Sequence, residues 1–146
     1  MRPLFKALDF LNAGNQVWIE TDYFEVLPGE EEETNPGIFG KAYAEWLAHR
    51  FRDEGEEVAE LIPEDWGWCV VLRRKPYLLF IACRNAGGDN ESEFGPTEWA
   101  AFVAAEPGLI QRLVKRVDPA AEIARLSKLL ESIAAQAPGV KRVWFD

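Results

Sequence analysis

Histidine, methionine and cysteine are scarce in this chain: one His, one Met and two Cys among 146 residues. Two thiols and a single imidazole are too few soft ligands for a structural zinc site, so no metal is expected. The one histidine, His49, has no nucleophile-elbow serine to serve: Ser92, Ser127 and Ser132 lack that context, and both cysteines lie inside apolar runs. Long apolar runs are also missing. No window approaches the ~20 uninterrupted apolar residues that a membrane-spanning helix needs. Met1–Asp9 alternates charge with apolar residues and carries no small-residue cleavage site, so it does not read as a secretory signal. A cytoplasmic, reducing setting is the expectation, and with it free thiols. Positive charge is short as well: 16 Lys and Arg stand against 25 Asp and Glu, a net charge of −9. That balance disfavours nucleic acid and anionic membranes as partners, because each would repel the chain. Gly87-Gly88 lacks the Lys-Ser/Thr of a phosphate loop, and no dinucleotide fingerprint is present, so no cofactor is expected.

What is present describes a folded protein: 48% hydrophobic and 28% charged residues suit one globular domain spanning 1–146. The acidity is lopsided. Residues 1–65 hold 16 acidic and 5 basic side chains (net −11), whereas residues 66–146 hold 9 and 11 (net +2). One half can therefore present a negative face to a cationic partner, although runs such as Glu30–Glu33 and Asp53–Glu57 also read as solvated loops and helix ends.

Pro63 to Asn85 is the most informative stretch. Cys69–Leu72 and Tyr77–Cys83 are rich in β-branched and aromatic residues and are separated by Arg73-Arg74-Lys75-Pro76, which reads as a central hairpin. Val17–Leu27 reads as a strand with a bulge near Asp22. Thr34-Asn35-Pro36 reads as a helix start. Phe39, Tyr43, Trp46, Leu47 and Phe51 then give one apolar helix face that ends near Gly55. Gly37 and Gly40 at its beginning suggest either a close backbone approach or a poorly optimised helix end. Glu57–Ile62 and Thr97–Ala105 read as strands, the latter with helix as an alternative because of its four alanines, and a loop of about a dozen residues lies between Asn85 and Pro96. A short helix follows Glu106-Pro107-Gly108, a second follows Asp118-Pro119, and Val140–Phe145 reads as a final, edge strand. The order β-α-β-β-β-β-α-α-β does not alternate strictly. It predicts a single two-layer α+β domain, a mainly antiparallel sheet with helices packed on one face.

At the hairpin entrance Glu64 and Asp65 adjoin Trp66, Gly67 and Trp68. Paired carboxylates beside aromatic platforms invite comparison with a glycosidase cleft. Adjacent residues of an extended segment point to opposite faces, however, so the two are poor partners across one glycosidic bond. A tight turn with packed tryptophans explains the motif, and an acidic, aromatic contact patch is the functional reading beside it. Arg73-Arg74-Lys75, with Arg112, Lys115, Arg116, Arg125 and Lys128, reads as a solvated basic face. Cys69 and Cys83 could face each other across a hairpin; two buried thiols acting as small hydrophobes are the simpler expectation. The blocks Asn35-Pro36-Gly37 and Pro63–Trp68 resemble the short fixed blocks of a bacterial protein family, and no activity follows from that resemblance.

The leading expectation is a non-catalytic, acidic domain that binds a basic protein, in the manner of an immunity or antitoxin-like inhibitor. Its expected contact residues are Glu30, Glu31, Glu32, Glu33, Glu64, Asp65, Trp66 and Trp68, with Gly87–Phe94 as a rim. One alternative is a small-ligand binder or hydrolase with a pocket walled by Trp18, Tyr43, Trp46 and Trp66. Another is a structural homodimer joined through the Val140–Phe145 edge.

Overall fold

The computed structural model describes residues 15–86, 95–106 and 118–146. Six strands form one antiparallel sheet: β1 (Val17–Glu20), β2 (Glu60–Glu64), β3 (Gly67–Arg73), β4 (Leu78–Asn85), β5 (Glu98–Glu106) and β6 (Arg142–Phe145). Their spatial order is β2-β3-β4-β5-β1-β6. Strands β2 to β5 make a meander, β1 pairs with the far side of β5, and β6 closes the row as an edge. Helices α1 (Lys41–Asp53) and α2 (Ala120–Ala134) cover one face of the sheet. The fold is thus α+β, a sheet with two helices packed on it.

The central strands are apolar on both faces. Trp68, Val70 and Leu72 of β3, with Leu79, Ile81 and Cys83 of β4, join the helices' Tyr43, Leu47, Phe51, Leu126, Leu130 and Ile133 in the main core. The intervening residues, Cys69 and Val71 with Phe80 and Ala82, point to the opposite face. There they form a second cluster with Ile62, Trp66, Ala100 and Phe102. Such double burial explains why the hairpin reads as continuous apolar runs rather than a polar and apolar alternation.

Two local expectations are corrected. The first strand stops at Glu20, not Leu27. Thr21, fully buried, donates its hydroxyl to the Pro138 carbonyl (2.7 Å) and accepts the Tyr23 N–H (3.1 Å), which turns the chain out of the sheet. Helix α1 starts at Lys41, not at Pro36. The Thr34 hydroxyl donates to the Ile38 carbonyl (2.6 Å) and the Asn35 amide to the Asp65 carbonyl (3.1 Å), so neither caps the helix. The other elements stand close to their expected bounds. Residues 1–14, the expected Gly87–Phe94 loop and the short helix expected after Glu106-Pro107-Gly108 lie outside the described residues.

Register also decides the thiol question. Cys69 is opposite Ala82 and Cys83 is opposite Trp68, which puts the two sulfurs on opposite faces of the sheet. Both are buried free thiols. Burial pushes both well above the ordinary thiol range, with the Glu64 carboxylate adding to the effect at Cys69 and Glu30 at Cys83. Ellman's reagent at pH 8 is therefore expected to find no reactive thiol in the folded chain and both in guanidinium. Rapid native labelling of either would contradict this packing.

Helix α2 is tied down by Arg125, which forks onto Glu56 (2.9 Å to each oxygen) and also reaches Glu122 at 3.0 Å. Arg73 approaches Glu122 from β3 at 3.1 Å. Hydrogen bonding to Arg125 holds both carboxyls below their usual range, against a smaller opposing effect of burial. A depressed folded-state pKa contributes stability that is complete above the ordinary carboxylate value and disappears as pH falls through the folded one. Melting temperature should fall on acidification from pH 6 to pH 3, and less steeply in Arg125→Met. Identical pH slopes in the two proteins would remove this network from the account.

Candidate functional site

The acidic run is partly an internal brace. Residues Glu30–Glu32 form a single 3-10 turn. Its first carboxylate is 6% exposed and points inward. There Glu30 Oε2 accepts the backbone N–H groups of Gly40 (3.0 Å) and Lys41 (3.2 Å), the first donors of α1. Glu31 accepts the Gly37 N–H at 2.8 Å. Gly40 has no side chain with which to cap the helix, and Glu30 supplies both the missing acceptor and a negative charge at the positive end of the helix dipole. The expectation that Glu30–Glu33 is an exposed loop holds for Glu32 and Glu33 and fails for Glu30, with Glu31 half-buried.

A second brace holds the same region. Asn85, at the end of β4, is fully buried. Its side chain accepts the Phe39 N–H and donates to the Gly37 carbonyl, both at 3.0 Å. The close approach expected at the two glycines is seen at Gly40, where an added Cβ would lie 3.1 Å from the Cys83 carbonyl; at Gly37 nothing lies within 4 Å.

The hairpin entrance is a two-residue turn, Asp65-Trp66, between β2 and β3. Trp66 is completely buried and Trp68 is 4% exposed, so neither offers a ring to a partner; Glu64 is 6% exposed. They also separate: Glu64 and Trp66 lie on the far side of the sheet, and Trp68 on the helix side with Lys41 Nζ 5.5 Å from its ring. Of that quartet only Asp65 is exposed. The expected Trp-lined pocket is not assembled either. Trp18 stacks on Trp144 on the far face (centroids 5.9 Å apart), where Trp66 also lies, whereas Tyr43 and Trp46 belong to α1 on the other face. The two faces of the sheet, invisible in composition, divide both candidate sets.

What the fold does assemble is a groove between α1 and the segment after β1. Ala42, Glu45, Trp46 and His49 recur at helical spacing along one stripe of α1 and face Tyr23, Phe24 and Glu25, enclosing about 470 Å³ open to water. Behind it, Phe24 packs edge-on against Trp46 (5.7 Å) and Trp99 (5.8 Å) and against Tyr43 at 4.9 Å, which fixes the groove wall to the core. Tyr23 is 52% and Leu27 57% exposed. Arg50 lies over the Trp46 ring at 5.4 Å and is steadied by Gln136 (2.7 Å). His49 pairs loosely with Asp53 (3.8 Å) with both side chains largely in water. The signal in the sequence was Tyr23-Phe24-Glu25, hidden because the whole segment reads as strand.

The two carboxylates that line the groove, Glu25 and Glu45, make no ion pair among the described residues. Ion pairs among the described residues include Arg73–Glu122, Arg74–Glu60, Arg125 with Glu56 and Glu122, Arg142 with Glu20 and Glu98, and His49–Asp53. Glu25, Glu32, Glu33 and Glu45 take part in none. A second open hollow of about 610 Å³ lies beside the basic tip, lined by Glu57–Ala59 and Leu72–Lys75, and Arg73 and Arg74 there are already paired. At the other edge β6 is four residues long, preceded by Lys141 and opened by Arg142, with Phe145 61% exposed; charge at a short edge discourages self-pairing.

Among the described residues no group of three His, Cys, Asp or Glu side chains is placed to hold a metal ion, and no helix is long and apolar enough to cross a membrane. No protein-family model matches the chain, and no curated protein or solved structure matches it.

Proposed function

We propose that this chain is a non-catalytic protein-binding domain, an immunity or antitoxin-like inhibitor acting in the cytoplasm, whose acidic surface engages a basic protein. The observation that carries this reading is the group Glu25, Glu32, Glu33 and Glu45, which no arginine or lysine among the described residues neutralises in an ion pair. Surface carboxylates left this way speed encounter with a cationic partner and select against anionic ones. An exposed aromatic and apolar margin, Tyr23 and Leu27, adds contact area of the type that anchors interfaces. The contact surface in this proposal shifts from the buried Glu30, Glu64, Trp66 and Trp68 to that exposed set, together with the exposed Asp65.

A catalytic reading has less support. Glu25, Glu45 and His49 line the groove as exposed side chains in open water, whereas acid–base chemistry relies on desolvated, positioned groups.

Affinity capture from the source cell tests the proposal. The wild-type chain should retain a protein of high pI, and Glu25→Lys/Glu33→Lys/Glu45→Lys should lose it. A control reversal at exposed Glu131 of α2 should retain it. Equal recovery by all three baits would overturn the electrostatic reading.

A further inference from the structure

The groove has a more specific chemistry than negative charge, and the inference from it rests on the binding reading above. The geometry points to a docking site for one arginine side chain of the partner, entering between Tyr23–Glu25 and the Ala42–Glu45–Trp46–His49 stripe of α1. Three features carry this. First, the volume of about 470 Å³ falls within the roughly 300–1,000 Å³ typical of clefts that accept a discrete group. Ala42 keeps the floor low, where a longer side chain would fill it.

Second, the walls are aromatic and the carboxylates ionic. Tyr23 and Trp46 supply ring surface in front of the buried Phe24, and Glu25 and Glu45 lie one on each side without a counterion among the described residues. A planar guanidinium satisfies both at once: it stacks on a ring and forks its N–H groups onto carboxylate oxygens, while its aliphatic stem covers apolar surface. An anionic side chain would meet two like charges, and a purely aliphatic one would strand both carboxylates beneath it.

Third, the molecule already makes such a contact. Arg50 sits 5.4 Å from the centre of the Trp46 ring. That ring therefore attracts a guanidinium when one is tethered nearby, and Tyr23, 52% exposed, has no such occupant among the described residues. An ammonium would also be drawn in, but as a point charge it gains less from flat rings.

The test is a titration of the ¹⁵N-labelled full chain with N-acetyl-arginine amide, with N-acetyl-citrulline amide as the neutral isostere. The arginine compound should produce saturable shifts at Tyr23, Phe24, Glu25, Glu45 and the Trp46 indole. The citrulline compound should not. Glu25→Gln/Glu45→Gln, both at exposed positions, should weaken the interaction about five- to tenfold. Tyr23→Ala should weaken it while leaving the melting temperature in place. Absence of saturable groove shifts, equal binding of citrulline, or shifts centred on Glu32, Glu33 and Asp65 would each overturn the arginine site. The last result would leave the acidic binding reading intact; loss of that reading is registered separately, by charge-reversed and wild-type baits capturing the same protein.

Discussion

Gly67→Ala is expected to cost about 3–5 kcal/mol of folding stability. Gly67 opens β3 directly after the Asp65-Trp66 turn, with φ at 152°, where residues bearing a Cβ are strained by about 1–3 kcal/mol. The larger difficulty is space. An added Cβ would lie 2.5 Å from the Cys83 carbonyl oxygen and 2.9 Å from the Arg84 Cβ. Both belong to the neighbouring strand, and one is backbone, so relief requires displacing β4 from β3 in the middle of the sheet. Overpacking adds about 1–3 kcal/mol on its own. Gly55→Ala is the matched control: φ is 86° and nothing lies within 4 Å, so only the backbone strain of about 1 kcal/mol should be seen. Equilibrium urea unfolding measures both. A Gly67→Ala loss no larger than that of Gly55→Ala would mean that β3 and β4 do not approach as described.

Glu30→Ala should destabilise the chain by about 2–4 kcal/mol, or roughly 5–15 °C in melting temperature. Opposing effects meet at this carboxylate. Removing a buried charge returns its desolvation cost, which favours the variant. Against that, the N–H groups of Gly40 and Lys41 lose their acceptor at a helix start where Gly40 is buried and has no side-chain cap, and water is poorly placed to replace it. Hydrogen bonds to a charged acceptor, together with the helix dipole, outweigh the desolvation term. Glu30→Gln keeps an acceptor oxygen and loses the charge, so it should retain part of the stability. Glu32→Ala, one turn away and exposed, should change stability by less than about 0.5 kcal/mol. Equal losses at Glu30 and Glu32 would return the whole run to the surface.

These two residues mark where the sequence is legible and where it is not. The α+β class, the hairpin, the apolar helix stripe and the final edge strand follow from periodicity and turn residues, because those patterns are local. Glu30 was hidden because a run of four glutamates reads as solvated, and the N–H donors it accepts from lie ten and eleven residues downstream. The missing clue was Gly40 itself, a helix start without a cap. Trp66 and Trp68 looked like one exposed patch because they are near neighbours in sequence; Trp66 sits in the turn, outside the alternation of β3, so the two rings lie on opposite faces, and both are buried. Tyr23 and Glu25 were concealed by the opposite error: their β-forming neighbours suggested a strand, while Thr21 had already turned the chain away. Tertiary hydrogen bonds, not propensity, decided the inward turn of Glu30 and the exit of the chain at Thr21.

The account stands most directly on long-range attraction between an acidic surface and a cationic partner. The decisive measurement is the association rate of the captured partner with the immobilised chain as ionic strength rises from about 0.05 M to about 0.5 M, over which screening shortens from roughly 14 Å to roughly 4 Å. We predict a fall of at least about tenfold in the association rate with little change in dissociation, and a much shallower slope for Glu25→Lys/Glu33→Lys/Glu45→Lys. An association rate indifferent to salt, and equal in the two proteins, would contradict it.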